Sequence, residues 1–135
     1  MKIVIDAYAW VEIFIGSKKG DKARKNLTAA DETYTPGVVM AEIARKYFRE
    51  GAGEQTVLAR LKTIEETSDI APIDKIVAFE SAKCYIELLE KAKTEGLKTP
   101  SLFDAIVLAT ARLLNAKVIT GDEHFKDMPE TLWIV

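Results

Sequence analysis

The run Lys2-Ile3-Val4-Ile5, stopped by Asp6, limits the fold more than any other stretch of the chain. Three successive β-branched residues favour extended backbone. An apolar run without polar alternation suits a strand covered on both faces, the usual setting of a parallel sheet. Parallel strands cannot be joined by tight hairpins and need crossovers, usually helical. The stretch AYAWVEIFI that follows supplies the first helix, Ala7 to Ile15, and Asp6 is placed to cap it.

The rest of the chain keeps this alternation. Gly16 to Gly20 reads as a loop, Asp21 to Ala30 as a helix exposing Lys22, Arg24 and Lys25, and Glu32 to Thr35 as a short strand. Thr35-Pro36-Gly37 reads as a helix start, with Thr35 as N-cap and Pro36 in the first turn. That helix runs to about Glu50 with Val38, Val39, Ile43 and Tyr47 inward, and Glu54 to Glu66 forms another carrying Val57, Leu58, Leu61 and Ile64. Ser68 to Ile73 is a strand whose Pro72 points to an edge or a strand end. Asp74 opens a long helix to Glu95, with an expected core stripe of Ile76, Val77, Phe79, Ala82, Ile86, Leu89 and Ala92, stopped by Gly96. Leu102 to Asn115 is the most apolar helix, Lys117 to Thr120 a strand, Asp122 to Asp127 a short turn or helix, and Leu132 to Val135 a last strand. Strands alternating with helices predict one three-layer α/β domain over residues 1–135 with a mainly parallel sheet.

Composition narrows the chemistry. With 19 basic and 21 acidic residues the formal net charge is −2, so a nucleic-acid enzyme built on this chain must use local basic clusters rather than a global field. Cys84 is the only cysteine and His124 the only histidine, which excludes an intrachain disulfide and a Cys/His zinc site built from this chain alone. No apolar run approaches the roughly 18 residues of a membrane span. The N-terminus opens on a strand rather than a leader, and the chain reads as soluble and cytoplasmic.

Four carboxylates lie inside or at the end of apolar elements: Asp6, Glu42 in VVMAEIARKYF, Asp104 in SLFDAIVLATARLL and Asp122 in KVITGDEHF. Each has an ordinary structural explanation. Asp6 can cap a helix, Glu42 can pair with Arg45 and Lys46, Ser101 to Asp104 fits a capping box, and Thr120-Gly121-Asp122 can be a turn. Together they point further. In a doubly wound sheet, ligands bind beyond the carboxyl ends of the strands, where Asp6 and Asp122 stand. Glu42 and Asp104 lie near helix N-termini, which gather at the same edge and favour anions. Clustered carboxylates repel one another unless a cation intervenes. Oxygen ligands suit a hard ion, Mg²⁺ or Mn²⁺, and such ions activate water for attack on phosphorus.

This ordered set, with its apolar contexts and the TGDEHF ending, resembles the PIN-domain nucleases from residue 3 to about 126, and most closely the VapC-type toxins of toxin–antitoxin pairs. The resemblance implies a five-stranded parallel sheet and an endoribonuclease whose Mg²⁺ or Mn²⁺ is held by Asp6, Glu42, Asp104 and Asp122. It also implies a homodimer inhibited by a small antitoxin, and it gives Thr120 the role of orienting water or a carboxylate. Glu123 and Asp127 are read as solvated acids, Glu123 also as an outer partner of the site.

RNA phosphates need cations. Arg45 and Lys46, close to Glu42, are the expected phosphate contacts, ahead of the run Lys18, Lys19, Lys22, Arg24 and Lys25, which reads as a solvated face. Tyr8 and Trp10 read as core or interface, and His124 as a surface histidine. Aromatics at Trp10, Phe14, Tyr47 and Phe48 exceed what the core needs and suggest a groove for an antitoxin helix. Three rival readings are a PIN nuclease of RNA processing without an antitoxin, a catalytically inactive binding module, and a phosphotransfer domain using Asp6. The last usually needs a second Asp two residues on, where this chain has Tyr8.

Overall fold

A computed structural model describes residues 1–135. The elements follow in the order β1 (Lys2–Ile5), α1 (Ala7–Ile15), α2 (Lys18–Ala29), β2 (Glu32–Pro36), α3 (Gly37–Arg49), α4 (Glu54–Thr67), β3 (Asp69–Ala71), α5 (Lys75–Glu95), α6 (Leu102–Leu114), β4 (Lys117–Thr120), a 3-10 turn (Glu123–Phe125) and β5 (Thr131–Trp133). All five strands pair in parallel in the order β3-β2-β1-β4-β5, as the sequence pattern predicts. No helix is long and apolar enough to cross a membrane.

The order explains the layers. From β1 to β3 the chain moves one way along the sheet, and from β3 it jumps back past β1 to β4. Right-handed crossovers then put α1 to α4 on one face and α5 and α6 on the other. Ile3, Val4, Ile5, Val118 and Ile119 are each 2% exposed or less, so the central strands are covered on both sides. The reversal between β1 and β4 is the switch point, and the turns after those two strands carry Asp6 and Asp122.

Two close approaches fix the helices beside this edge. Gly20 packs on α1 so tightly that a Cβ there would lie 2.2 Å from the Glu12 carbonyl oxygen. A directional chain of hydrogen bonds also runs through the core. Trp10 Nε1 donates to Thr35 Oγ1 (3.1 Å), the Thr35 hydroxyl donates to Ser68 Oγ (2.7 Å), and Ser68 Oγ donates to the Ile64 carbonyl (2.9 Å). It ties α1, β2 and α4 together and leaves each hydroxyl with a partner, as burial requires.

Several expectations change. Thr35 is not an N-cap: β2 continues to Pro36, α3 starts at Gly37 without a side-chain cap, and the Thr35 hydroxyl belongs to the buried chain. The expected loop from Gly16 to Gly20 is shorter, because Ser17 caps α2 by accepting from Gly20 N–H and the helix starts at Lys18. The α5 stripe is rotated. Its buried residues are Val77, Ser81, Cys84, Leu88 and Ala92, whereas Ile76, Phe79 and Ile86 are 53%, 64% and 60% exposed. Leu58 likewise faces outward on α4.

Candidate metal centre

Asp6 is the fixed point of the site. It ends β1 and caps α1, its Oδ1 accepting from Ala9 N–H at 2.9 Å. Its Oδ2 accepts from the hydroxyl of Thr120, the last residue of the neighbouring strand β4. Both oxygens of a nearly buried carboxylate are thus held, and each keeps a lone pair. Burial pushes the Asp6 pKa up to about 8, with smaller upward pushes from Asp122 and Glu42, against the two hydrogen bonds, which favour the ionised form.

Thr120 links the two strand ends. Besides donating to Asp6 it accepts from Asp122 N–H at 2.9 Å, and this turns the chain so that the Asp122 carboxylate faces the same edge. Gly121 between them has no room for a side chain: a Cβ would lie 2.3 Å from Tyr8 Cε1 and 2.7 Å from Val135 Cγ2.

The other two acids come from helix N-terminal turns. Asp104 is part of a complete capping box, with Ser101 N–H donating to its Oδ2 at 2.9 Å and its own N–H donating to Ser101 Oγ at 3.1 Å. Burial raises its pKa and the Asp122 charge adds to the rise. Glu42, in the second turn of α3, is raised chiefly by burial, then by Asp104 and Asp122, with Arg45 acting the opposite way. Asp104, Asp122 and His124 each bring one ligand-capable atom to within 4.8 Å of the others. The ordinary explanations for Asp6 and Asp104 as caps are correct, and they coexist with the cluster: the cap holds the carboxylate in place.

Sequence reasoning missed His124. It is half-buried, its Nδ1 is 2.9 Å from Asp122 Oδ1, and its Nε2 is 2.8 Å from the Lys98 carbonyl oxygen. Both partners are acceptors, and both favour the protonated, charged form of the ring. Burial works against that charge, but the Lys98 carbonyl and Asp122 outweigh it and the pKa is raised. His124 therefore braces Asp122 through Nδ1 while the Lys98 carbonyl engages its Nε2. The four carboxylates offer only oxygen, which suits a hard divalent cation. Several acids made hard to ionise by burial and mutual repulsion form an environment that a divalent cation would relieve.

A cavity of about 390 Å³ opens onto Glu42 and Asp122. Tyr8 and Glu12 of α1 line one side, and Arg45, Lys46 and Arg49 of α3 line another. Arg45 sits with its guanidinium carbon 5.5 Å from the Phe103 ring centroid, beside Asp104 in sequence. Lys46 pairs with Glu50 at 3.2 Å. Both expected phosphate contacts therefore reach the cavity, Arg45 without a carboxylate bound to it. Glu123 and Asp127 are exposed.

Comparisons with known proteins agree with this architecture. The sequence profile of the PIN domain matches residues 3–131. The fold matches the solved DNA-bound VapBC from Salmonella typhimurium with a TM-score of 0.72, 17% identity and coverage of 100% of this chain and 99% of that one. It matches a toxin–antitoxin complex from Klebsiella pneumoniae with a TM-score of 0.68, 21% identity and 98% of each chain covered. A third match is the sarcin-ricin loop cleaving toxin VapC20 of Mycobacterium tuberculosis, with a TM-score of 0.67, 15% identity and coverage of 91% and 92%. Among curated proteins, none matches the sequence.

Proposed function

The chain belongs to the PIN-domain family, and from that premise we propose that it is a divalent-metal-dependent endoribonuclease and the toxin of a toxin–antitoxin pair. The observation that carries the reading is the gathering of Asp6, Glu42, Asp104 and Asp122 at the switch point of a parallel sheet, with no carboxylate-bound lysine or arginine among them. The toxin–antitoxin assemblies from Klebsiella and Salmonella and the RNA-cleaving mycobacterial toxin, similar across nearly their full lengths, support it.

Asp6, Glu42, Asp104 and Asp122 would hold Mg²⁺ or Mn²⁺. Such an ion supplies an activated water and charge stabilisation for phosphodiester hydrolysis. The chain's own residues do the rest. Asp6 is kept in one orientation by Ala9 N–H and Thr120, Thr120 holds the two strand ends in register, and His124 anchors Asp122. Arg45 and Lys46 stand beside the acids as contacts for RNA phosphates.

Two surfaces suit the partners in this reading. A cavity of about 400 Å³ between α1, α2 and α4 is lined by Trp10, Phe14, Leu27, Arg24 and Arg60 and is the proposed seat of the antitoxin. Trp10 itself is core, at 1% exposed, and the expected groove is carried by Phe14, whose ring stacks on Trp10 and meets Tyr47 edge-on. On α5, Ile76, Phe79 and Ile86 share one exposed stripe at helical spacing beside Leu113 of α6, and a second copy of the chain is the proposed cover. Residues 1–135 are proposed to form one PIN-like nuclease domain.

The decisive experiment is RNA cleavage with Mg²⁺. Activity should disappear with EDTA and in Asp6→Asn and Asp104→Asn, and an active Asp104→Asn enzyme would remove that residue from the site. A small protein that co-purifies and silences cleavage supports the toxin reading; growth unaffected by expression without that protein favours an RNA-processing nuclease.

A further inference from the structure

The cavity at the acids has cations on α3, and on the α1 side its lining residue Tyr8 is hydrogen-bonded to Lys19. The Lys19 ammonium donates to the Tyr8 phenol oxygen at 3.0 Å and lies 5.7 Å from the ring centroid. The second distance is nearly the phenol's own reach plus the hydrogen bond. The ammonium therefore sits off the hydroxyl end of the ring, not over its face, and the contact is a hydrogen bond to a neutral group.

Tyr8 is itself fixed. It lines the cavity with Glu42 and Asp122, and its ring occupies the space that a side chain at Gly121 would take. The close packing of Gly20 on α1 and the Ser17 cap bring the first turn of α2 to this place. Glu12 is the acid whose charge acts on Lys19, but its carboxylate is held by Ser17 Oγ at 2.6 Å and lies more than 4.0 Å from the Lys19 ammonium. Lys19 thus keeps two N–H donors and a charge bound to no carboxylate, beside a residue that lines the acidic cavity.

We propose that Lys19 is a phosphate-binding residue for single-stranded RNA, with Tyr8 as its positioning residue, so that the strand lies across the acids between Lys19 and the α3 cations Arg45 and Arg49. This rests on the ribonuclease reading and adds a second wall to it. A phosphate next to Lys19 replaces water on the two free N–H groups, and the phenol keeps the flexible lysine from folding toward the metal ligands. The sequence run Lys18 to Lys25 is therefore not one solvated face: Lys19 departs from it.

The test measures binding separately from cleavage. Fluorescence anisotropy of a labelled single-stranded oligoribonucleotide in EDTA, over a series of salt concentrations, reads the phosphate contacts without the metal. Lys19→Met should weaken binding and reduce the slope of log affinity against log salt by about 0.7, the value for one phosphate contact on a single strand. Lys19→Arg should restore most of both. Tyr8→Phe keeps the ring against Gly121 and removes only the hydroxyl. It should weaken binding in the presence of Lys19 and change nothing in the Lys19→Met background. Lys18→Met, one residue away and exposed, should match wild type. Wild-type slope in Lys19→Met overturns the proposal, as does a wild type that fails to bind RNA. A wild type that binds in this way but never cleaves RNA under any divalent ion overturns the nuclease reading and leaves the phosphate contact standing. In the cleaving enzyme Lys19→Met and Tyr8→Phe should raise KM and spare kcat.

Discussion

Thr120 donates its hydroxyl to the Asp6 carboxylate across the boundary between β1 and β4, and its oxygen accepts from Asp122 N–H. One side chain therefore ties together the two acids that follow the central strands. Thr120→Val keeps the shape but removes both bonds, leaving the Asp122 N–H and one Asp6 oxygen without partners. The expected cost is about 1–3 kcal/mol in denaturant unfolding, with weaker Mg²⁺ binding. Thr120→Ser should restore both. A valine variant as stable and as metal-avid as wild type would show that the two strand ends hold themselves.

Burial raises Asp6 to about 8, and that shift has a definite sign. Between the ordinary carboxylate range and pH 8 the folded chain holds a proton that the unfolded chain has released. Metal-free stability should therefore be greatest at the acid end of that window and fall as pH rises through it, by at most about 1.4 kcal/mol per pH unit. Asp6→Asn removes this dependence and should be the more stable protein at pH 8.5. Thermal unfolding in EDTA at several pH values checks it, and parallel profiles for the two proteins would contradict it.

In the proposed metal centre, metal and proton compete for the Asp6 carboxylate. Mg²⁺ affinity should rise with pH up to about 8, and calorimetry in two buffers of different ionisation enthalpy should detect proton release on binding. At a hundredfold excess over Kd, Mg²⁺ should add about 2.7 kcal/mol to stability, and Asp104→Asn should abolish most of that increment.

The core hydroxyl chain gives a prediction remote from the site. Thr35→Val leaves the Trp10 indole N–H without an acceptor and Ser68 without its donor. Unfolding should become easier by about 1–3 kcal/mol, while the Mg²⁺ affinity of the folded protein stays near wild type.

Phe79→Glu places a charge in the exposed α5 stripe, where Phe79 is 64% exposed. Sedimentation should report a shift from dimer to monomer. A monomer that retains the wild-type unfolding profile at low concentration would locate the effect at the surface between copies.

The sheet and the acids were legible in the sequence because both follow local rules. Ile3-Val4-Ile5 and Val118-Ile119 are apolar runs with a carboxylate close behind, and topology makes such positions meet. What escaped depends on partners distant in the chain. Thr35-Pro36 fits a helix start, and only Trp10 and Ser68 show why the hydroxyl is buried instead. On α5 the more hydrophobic stripe, with Ile76, Phe79 and Ile86, is the exposed one, while the buried stripe includes Ser81, Cys84 and Ala92. Hydropathy ranks the faces and cannot say whether this chain or another covers them. His124 gave one usable signal: an ionisable ring two residues after Asp122 is in reach of that carboxylate.

The position of β1 in the middle of the sheet governs when the protein comes into being during synthesis. Its partner β4, paired through Ile3 with Lys117 and Ile5 with Ile119, is made more than a hundred residues later. Asp6 is made long before Thr120 and Asp122, the residues it meets in the folded chain. A nascent or truncated chain lacking β4 has neither the central pairing nor the carboxylate cluster. If the chain is a toxin, its own topology keeps it harmless until β4 has been made and paired.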